Sequence, residues 1–225
     1  MLKEKYDIEE NDFASAELEI VPQFKAASVG LDKSMVGSYG QDDRVCGYTA
    51  LKAILETEAP KKTAICFLAD KEEIGSTGNT GLESDFLRFV IGDLAKMQGG
   101  DATIALRNSK CLSADVNAGT DPTFQDVMER RNASFLNYGV VVTKYTGARG
   151  KSGTSDASAE FVASVRNMLD TAEIVWQSGE LGRVDLGGGG TVAQYIANMG
   201  VDVVDLGVPV LSMHAPFETT AKFDV

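Results

Sequence analysis

Short apolar runs alternate with stretches of helical periodicity along most of this chain, and this alternation limits the folds that it can adopt. Residues 63–69 form an apolar run too short for a typical helix and bounded by charged residues, which indicates a strand buried on both faces. Residues 84–97 then carry apolar side chains on one helical stripe, and Gly99 and Gly100 end it. Because the two patterns recur, the sequence predicts an α/β fold, a layered sandwich with a central mixed sheet flanked by helices.

The other predicted elements follow the same rhythm. Residues 15–20 alternate apolar and polar side chains up to Pro22, which is typical of a half-buried strand. A helix containing Val45 and Leu55 follows a glycine-rich loop, with Asp43 as a candidate cap. Further predicted elements are a short helix over residues 101–106, helices over 157–169 (capped by Ser155 or Asp156) and 191–199, and strands over 112–116, 140–145, 174–176, 201–206 and 208–213.

Length, charge and cysteine content exclude several classes of protein. The 225 residues suffice for one large domain, or one domain plus a fragment of another. With 33 acidic against 21 basic residues the net charge is -12, a field that repels a phosphate backbone, so no nucleic-acid partner is expected. No apolar stretch approaches the roughly 18 residues of a membrane span, so no membrane partner is expected. Three cysteines without a CxxC motif indicate a reducing, cytoplasmic location.

Acidic residues and the only histidine fall at the ends of predicted strands, where ligands bind in folds of this kind. Glu72 and Glu73 follow the first buried strand, Asp115 and His214 close two later ones, and Asp42 starts a helix. Carboxylates with one imidazole suit Zn²⁺ or a similar divalent ion, with one carboxylate left over as a base. Each residue also has a structural alternative: a solvated glutamate pair, a turn-capping aspartate, or a surface or core histidine.

Two glycine-rich stretches offer other possibilities. Residues 147–153 lie between a predicted strand and a predicted helix, where a phosphate-binding loop belongs, but Tyr145 stands where that motif needs glycine. Together with Asp205, this stretch keeps nucleotide binding as a less favoured hypothesis. The four glycines 187–190 before Thr191 form either a flexible connector or a backbone that approaches a bound substrate closely.

Taken together, the motifs resemble the aspartyl aminopeptidase and aminopeptidase I family of dinuclear zinc exopeptidases over nearly the whole chain. Residues 144–153 add a resemblance to the bacterial branch of that family. The four motifs that carry the resemblance, in the family's order, are SYGQDDR at 38–44, DKEEIGS at 70–76, SADVN at 113–117 and LGVPVLSMH at 206–214.

The resemblance implies a role for each of five residues. Asp42 matches the carboxylate that bridges two zinc ions, and Glu73 and His214 match the remaining ligands of one ion. Asp115 matches a ligand of the second ion, which in the family also binds a histidine of a His-Thr-Asp motif that this chain lacks. Glu72 matches the general base. The expected cofactor is therefore zinc, two ions in an intact site, with other divalent ions as alternatives.

The function implied by the resemblance is a metal-dependent aminopeptidase, which hydrolyses N-terminal residues from peptide substrates with a two-metal-activated water and a glutamate base. The preferred N-terminal residue stays open. The candidate substrate-binding residues are Lys144 and Lys151, with Arg149 as a further source of positive charge, and Gly189, Gly190 and Thr191.

Family members are much longer, which suggests a division of this chain. Residues 1–36 match the last portion of an inserted dimerisation domain, and residues 37–225 match a partial metallopeptidase catalytic domain. A truncated chain or fragment is expected to bind at most one metal ion tightly and to be weakly active or inactive. The alternative function is a catalytically incomplete interaction or assembly subunit, either in a homo-oligomer such as the family's dodecamer or with a missing N-terminal half.

Overall fold

Two mixed β-sheets flanked by helices form the framework of the computed structural model, which describes residues 1–147, 152–153, 155–183 and 185–225. The strands are β1 (Ala27–Val29), β2 (Met35–Ser38), β3 (Lys110–Ser113), β4 (Asn117–Ala118), β5 (Val140–Thr143), β6 (Trp176–Ser178), β7 (Asp202–Gly207), β8 (Pro209–Leu211) and β9 (Glu218–Ala221). The helices are α1 (Leu2–Tyr6), α2 (Glu10–Phe13), α3 (Gln41–Leu55), α4 (Phe86–Met97), α5 (Ala102–Arg107), α6 (Ala159–Thr171) and α7 (Ala193–Ala197).

The strand order of the two sheets confirms the predicted α/β class. One sheet has the order β1-β2-β9-β8-β4 and the other β3-β7-β5-β6, and each contains both parallel and antiparallel pairs. The single central sheet expected from the sequence is therefore divided in two. β7 runs directly into β8 through Gly207 and Val208, so one continuous stretch of chain joins the sheets.

Strand β7 is buried on both faces, as its apolar sequence predicts. Val204 packs with Phe161 and Val165 of α6, whereas the neighbouring Val203 packs with Leu87 of α4 and Ile196 of α7. Successive side chains of a strand point to opposite faces, so the two valines belong to two separate apolar clusters. Helices therefore cover both sides of this sheet.

Two predicted strands do not form. Residues 15–20 belong to no strand, and Leu18 and Ile20 are 70% and 101% exposed. Residues 63–69 are also unpaired in the part of the chain that the structure describes, and Ile65 and Leu68 are 46% and 60% exposed. An apolar segment forms a strand only where a neighbouring strand pairs with it, and the described residues supply no such partner at these segments, although Phe67 and Ala69 pack against the cluster of α4 and α7.

Several element boundaries differ from those that the sequence predicts. Helix α6 begins at Ala159, and the hydroxyl of Ser158, instead of Ser155 or Asp156, accepts a hydrogen bond from the backbone N–H of Phe161. The predicted helix over 191–199 is limited to α7. Strand β9 is missed because three of its four residues are polar, so no apolar pattern marks it.

The proposed division at residues 36 and 37 falls inside β2, and it stays a prediction. None of the helices in the described parts of the chain has the length and apolar character needed to cross a lipid bilayer.

The cap of α6 provides a test of the corrected boundary. Replacing Ser158 with Ala removes the oxygen that accepts from the Phe161 N–H, and should lower the free energy of unfolding by about 1 kcal/mol, measured by urea denaturation. Ser164→Ala is the matched control. Ser164 lies in the middle of the same helix, is exposed to solvent, and donates a hydrogen bond to the Glu160 carbonyl. Because alanine is the better helix former, this substitution should cost no stability. Equal losses in both variants would contradict the assigned cap.

Candidate metal centre

Four separate segments bring the predicted metal ligands together. Asp42 lies at the kinked start of α3, where the backbone of Asp42 and Asp43 is not helical. Glu72 and Glu73 lie in a 3₁₀ turn over Glu72–Ile74, which follows the unpaired segment 63–69. Asp115 lies between β3 and β4, and His214 lies after β8 with a left-handed backbone (φ 65°).

Glycine at position 207 allows the Asp115 segment to enter the site. A Cβ atom on Gly207 would lie 1.6 Å from the backbone oxygen of Asp115, a distance that no side chain can tolerate. Strand β7 therefore passes the backbone of Asp115 at a separation that only glycine permits.

The imidazole of His214 contacts two of the predicted carboxylates. Its Nε2 atom lies 2.9 Å from Oδ2 of Asp42 and 2.9 Å from Oε1 of Glu73. Asp42 is largely buried, with 9% of its side chain exposed, whereas His214 and Glu73 are about 60% exposed. These three residues, here called the histidine cluster, offer ligand atoms that all lie within 4.8 Å of one another.

A second group shares Asp42 with the first. Asp42, Asp43 and Asp115 each place one carboxylate oxygen within 4.8 Å of the others, and this group is here called the aspartate cluster. Asp42 therefore stands between two candidate ion positions. Asp43 is the member that the sequence analysis assigned only to a helix cap, and the Asp-Asp pair at a helix start was the available signal for it.

Burial, and after it the crowding of carboxylates, raises pKa values in this region. Burial, more than any neighbour, raises the pKa of Asp42, and the negative charge of Glu73 adds to it. Burial raises the pKa of Asp115 to about 9, with the charges of Asp43 and Glu72 as further causes. Desolvation likewise raises the pKa of Asp43 to about 7, although part of its side chain reaches solvent. A divalent cation would reverse this situation, since it favours the ionised form of each carboxyl.

Glu72 lies beside both clusters without belonging to either. Burial, followed by the charges of Glu73 and Asp42, raises its pKa above that of an ordinary glutamate. Such an environment is typical of a carboxyl group that takes part in proton transfer.

The clusters open into a cavity of about 400 Å³ that is also lined by the glycine-rich segment. Gly189, Gly190 and Thr191 line this cavity together with Asp42, Glu72, Glu73, Asp115 and His214. Lys144 is not among the lining residues, because it pairs with Asp156 at the surface. Lys151 and Arg149 lie outside the described residues, as do Ala148 and Gly150 of the loop considered for nucleotide binding.

A buried carboxyl that the metal prediction did not use holds the glycine-rich segment in place. Asp205 of β7 is 6% exposed, and its Oδ1 accepts a hydrogen bond of 2.8 Å from the hydroxyl of Thr191. Burial raises the pKa of Asp205 to about 6. The other residues that line the cavity without having been predicted include Asn117, Thr143, Thr146, Gln194, Tyr195 and Met213.

The chemistry of the donor atoms fits zinc. The histidine cluster combines one imidazole nitrogen with carboxylate oxygens, which is an ordinary ligand set for Zn²⁺. The aspartate cluster offers oxygen alone, which holds zinc less selectively. Within the described parts of the chain, no lysine or arginine forms an ion pair with these carboxylates, so their charge is available to a metal ion.

Comparisons with known proteins point to a family of zinc metalloproteases. The pattern of the aminopeptidase I zinc metalloprotease family (M18) matches residues 1–225. A probable M18 family aminopeptidase 1 of Clostridium acetobutylicum is 50% identical over 229 residues, which cover 100% of this chain and 49% of that protein. The chain thus spans about half the length of the curated relatives that it matches.

Solved structures give the same result for the fold. The crystal structure of an M18 family aminopeptidase from Thermotoga maritima superposes with a TM-score of 0.95 at 48% identity, over 99% of this chain and 50% of that one. A more distant structure, the S. cerevisiae mApe1 dodecamer, has a TM-score of 0.73 at 22% identity, covering 91% of this chain and 46% of that one. At that identity the likeness concerns the fold alone.

The buried carboxyl of Asp205 should make the stability of the chain depend on pH. Its pKa is about 6 in the folded state, above the ordinary aspartate value, so the folded state holds a proton that the unfolded state has released. The resulting stabilisation is complete below the unfolded pKa and is lost as the pH rises through 6. Between pH 5 and pH 8 we expect a loss of the order of 1 kcal/mol from this group.

Urea denaturation of the metal-free chain and of Asp205→Asn at the two pH values measures this contribution. Asparagine cannot ionise, so the variant should lose about 1 kcal/mol less than the wild-type chain over that interval. Identical pH dependence in the two proteins would show that Asp205 does not titrate in this range.

Proposed function

Because this chain belongs to the aminopeptidase I (M18) family of zinc metalloproteases, we propose that it supplies the zinc ligands and the general base of an aminopeptidase that removes N-terminal residues from peptides. The observation that carries the proposal is the position of Asp42. Its carboxylate belongs both to the histidine cluster and to the aspartate cluster, while Glu72 stands beside them and belongs to neither. Two ion positions that share one carboxylate, with a free acid next to them, are what metal-assisted hydrolysis needs.

The donor atoms assign the residues that would hold zinc. Glu73 and His214 would bind the first ion and Asp115 the second, with Asp42 between them; Asp43 is a further candidate ligand of the second ion. Zinc bound here would supply Lewis acidity, which lowers the pKa of a water molecule and polarises a carbonyl group. The more selective position is the histidine cluster, because it contains the only nitrogen ligand.

Glu72 would take a proton from the attacking water and pass it to the leaving amine. Its raised pKa suits this exchange, since a general base works best when its pKa lies nearer to the working pH. Its place on the cavity wall allows its carboxyl to reach a substrate without displacing a ligand.

The negative field of the cavity suits the free end of a peptide. A protonated α-amino group would be attracted to the carboxylates of Asp42, Glu72 and Glu73, whereas an internal peptide bond carries no such charge. The glycine-rich wall, including Gly189, Gly190 and Thr191, would then face the side chain of the N-terminal residue. Lys144 and Lys151 stay candidate contacts for longer substrates.

A second candidate function, assembly with further copies of the chain, is favoured by exposed apolar side chains. On α3, Tyr48, Leu51 and Leu55 are 58%, 44% and 76% exposed, and Leu68 of the unpaired segment is 60% exposed. Apolar surface of this kind is typical of a protein interface. Residues 1–36 as a dimerisation segment and 37–225 as a catalytic unit belong to the same proposal.

The compartment proposed for this activity is the cytoplasm. Cys46, Cys66 and Cys111 are all free thiols, as expected where disulfides do not persist.

The neighbouring glutamates provide a matched test of the proposed roles. Glu72→Gln should leave zinc affinity within twofold of the wild-type chain but lower the hydrolysis of an aminoacyl-p-nitroanilide by about 100-fold or more, because the base is lost. Glu73→Gln should instead weaken zinc binding by about 10-fold or more, since it removes a charged ligand of the histidine cluster.

Zinc content by elemental analysis and turnover with excess zinc separate the two effects. Unchanged turnover in Glu72→Gln would contradict its role as a base. A wild-type chain that binds zinc and hydrolyses no substrate would contradict the catalytic proposal and favour assembly.

Sedimentation velocity tests the assembly proposal. The wild-type chain should sediment as a species larger than the 24.0 kDa monomer at micromolar concentration, and Leu51→Glu should shift it towards the monomer, because a charge in an apolar interface costs desolvation energy. Asn167→Glu, which adds the same charge to an exposed position of α6, should have no effect. A wild-type chain that is monomeric throughout would contradict self-assembly.

A further inference from the structure

A fully buried glutamate lies between the two segments that carry the ligands Asp42 and His214. Glu218 is only 1% exposed and begins β9. In its sheet β9 is placed between β2 and β8, with Glu218 paired to Ser38 and Thr219 paired to Leu211. The segment after β2 leads to Asp42, and the segment after β8 leads to His214. Glu218 therefore lies next to both segments.

Each carboxylate oxygen of Glu218 serves one of the two ligand segments. Oε2 accepts a hydrogen bond of 3.0 Å from the backbone N–H of Asp42, and Oε1 accepts one of 2.7 Å from the backbone N–H of His214. Hydrogen bonds to a charged acceptor are shorter and stronger than those between neutral groups. One side chain therefore joins two segments that lie 172 residues apart, since 214 − 42 = 172.

Both of these N–H groups belong to backbone that needs stabilisation by a group from another segment. The N–H of Asp42 is in the first turn of α3, where no earlier carbonyl of the helix can accept it and no side chain of the helix caps it. His214 has a left-handed backbone, which costs a residue with a side chain about 1 kcal/mol or more. Glu218 accepts the hydrogen bond that the N–H of Asp42 cannot make within the helix, and it stabilises the left-handed backbone of His214.

A carboxylate is the side chain that this position requires. Within the described residues Glu218 forms no ion pair with lysine or arginine. The free-energy cost of burying its carboxylate is therefore offset by hydrogen bonds from the two N–H donors. Glutamine has nearly the same shape but only one oxygen, and its NH₂ group would point its hydrogens at one of the two N–H groups.

We propose that Glu218 is a positioning residue that fixes Asp42 and His214 relative to each other and thereby sets the zinc affinity of the histidine cluster. The proposal rests on the proposed function, because it takes Asp42 and His214 as zinc ligands. Glu218 belongs to neither cluster and is not among the residues that line the cavity. It acts through the backbone of the two ligands.

Asp224 supplies a matched control for the loss of such a carboxylate. It is 3% exposed, and its two oxygens accept hydrogen bonds of 2.7 Å from the backbone N–H groups of Asn137 and Gly139. Asp224→Asn thus removes one acceptor from a buried carboxylate with two backbone donors, as Glu218→Gln does, but it does so away from both clusters. A purely structural effect should appear equally in both variants.

Zinc affinity, measured by competition with a chromophoric chelator, is the deciding experiment. Glu218→Gln should bind Zn²⁺ about 10-fold to 100-fold more weakly than the wild-type chain, as is usual for residues that orient ligands, and Asp224→Asn should stay within about twofold. The absorption spectrum of bound Co²⁺, which reports ligand geometry, should change in Glu218→Gln alone. Equal affinity in the wild type and Glu218→Gln, or an equal loss in both variants, would overturn the positioning role.

A measurement on the wild-type chain keeps the proposal open to contradiction even if Glu218→Gln does not fold. Amide hydrogen exchange in the metal-free chain should show protection at the N–H groups of Asp42 and His214, and rapid exchange at both would overturn the proposal. A wild-type chain that takes up no zinc contradicts the metal centre itself, and with it both proposals. Normal zinc uptake with an unaffected Glu218→Gln contradicts only the role of Glu218.

Discussion

The free-energy cost of burying several carboxylates side by side is the constraint on which the arrangement of this site depends. Asp42, Asp115, Glu72 and Glu73 line one cavity, and Asp43 lies close to Asp42 and Asp115. Burial together with the charges of these groups raises the pKa values of several of them. The free energy that opposes this crowding must come from elsewhere in the fold. The two apolar clusters on either side of β7 supply it by burying Val203 and Val204 against three helices.

The sheets bring residues that are distant in the sequence into one site, because the loops that follow neighbouring strand ends lie close together. Strand β3 leads to Asp115, β2 to Asp42 and β8 to His214. The glutamate pair is different, since it follows residues 63–69, which no strand of the described chain pairs with. Its position depends instead on contacts such as the packing of Phe67 and Ala69 against the cluster of α4 and α7.

The sequence predicted those parts of the structure that depend on local pattern. The helices α3 and α4 and the strands β5 and β7 could be anticipated from apolar periodicity, whereas the meeting of Asp42 with Glu73 and His214 was implied by the resemblance to the family. The strand predicted over residues 15–20 does not form, and an alternating pattern alone could not show this, because it does not reveal whether a neighbouring strand exists to pair with it. Glu218 was missed as a site residue, and Asp205 was considered only for nucleotide binding, since their roles arise from hydrogen bonds to the backbone of Asp42 and to Thr191, which no local pattern encodes.

Buried carboxylates in this chain are satisfied by neutral donors, and this has a consequence for the metal site. Glu218 and Asp224 each accept two backbone N–H groups, and Asp205 accepts the hydroxyl of Thr191. A lysine or arginine could have stabilised Glu218 or Asp205, but its positive charge would have stood nearer to the position of a divalent cation and reduced the attraction of the site for it. Dipoles stabilise these carboxylates without adding net charge, so the field that would draw a zinc ion and the amino end of a peptide into the cavity is preserved.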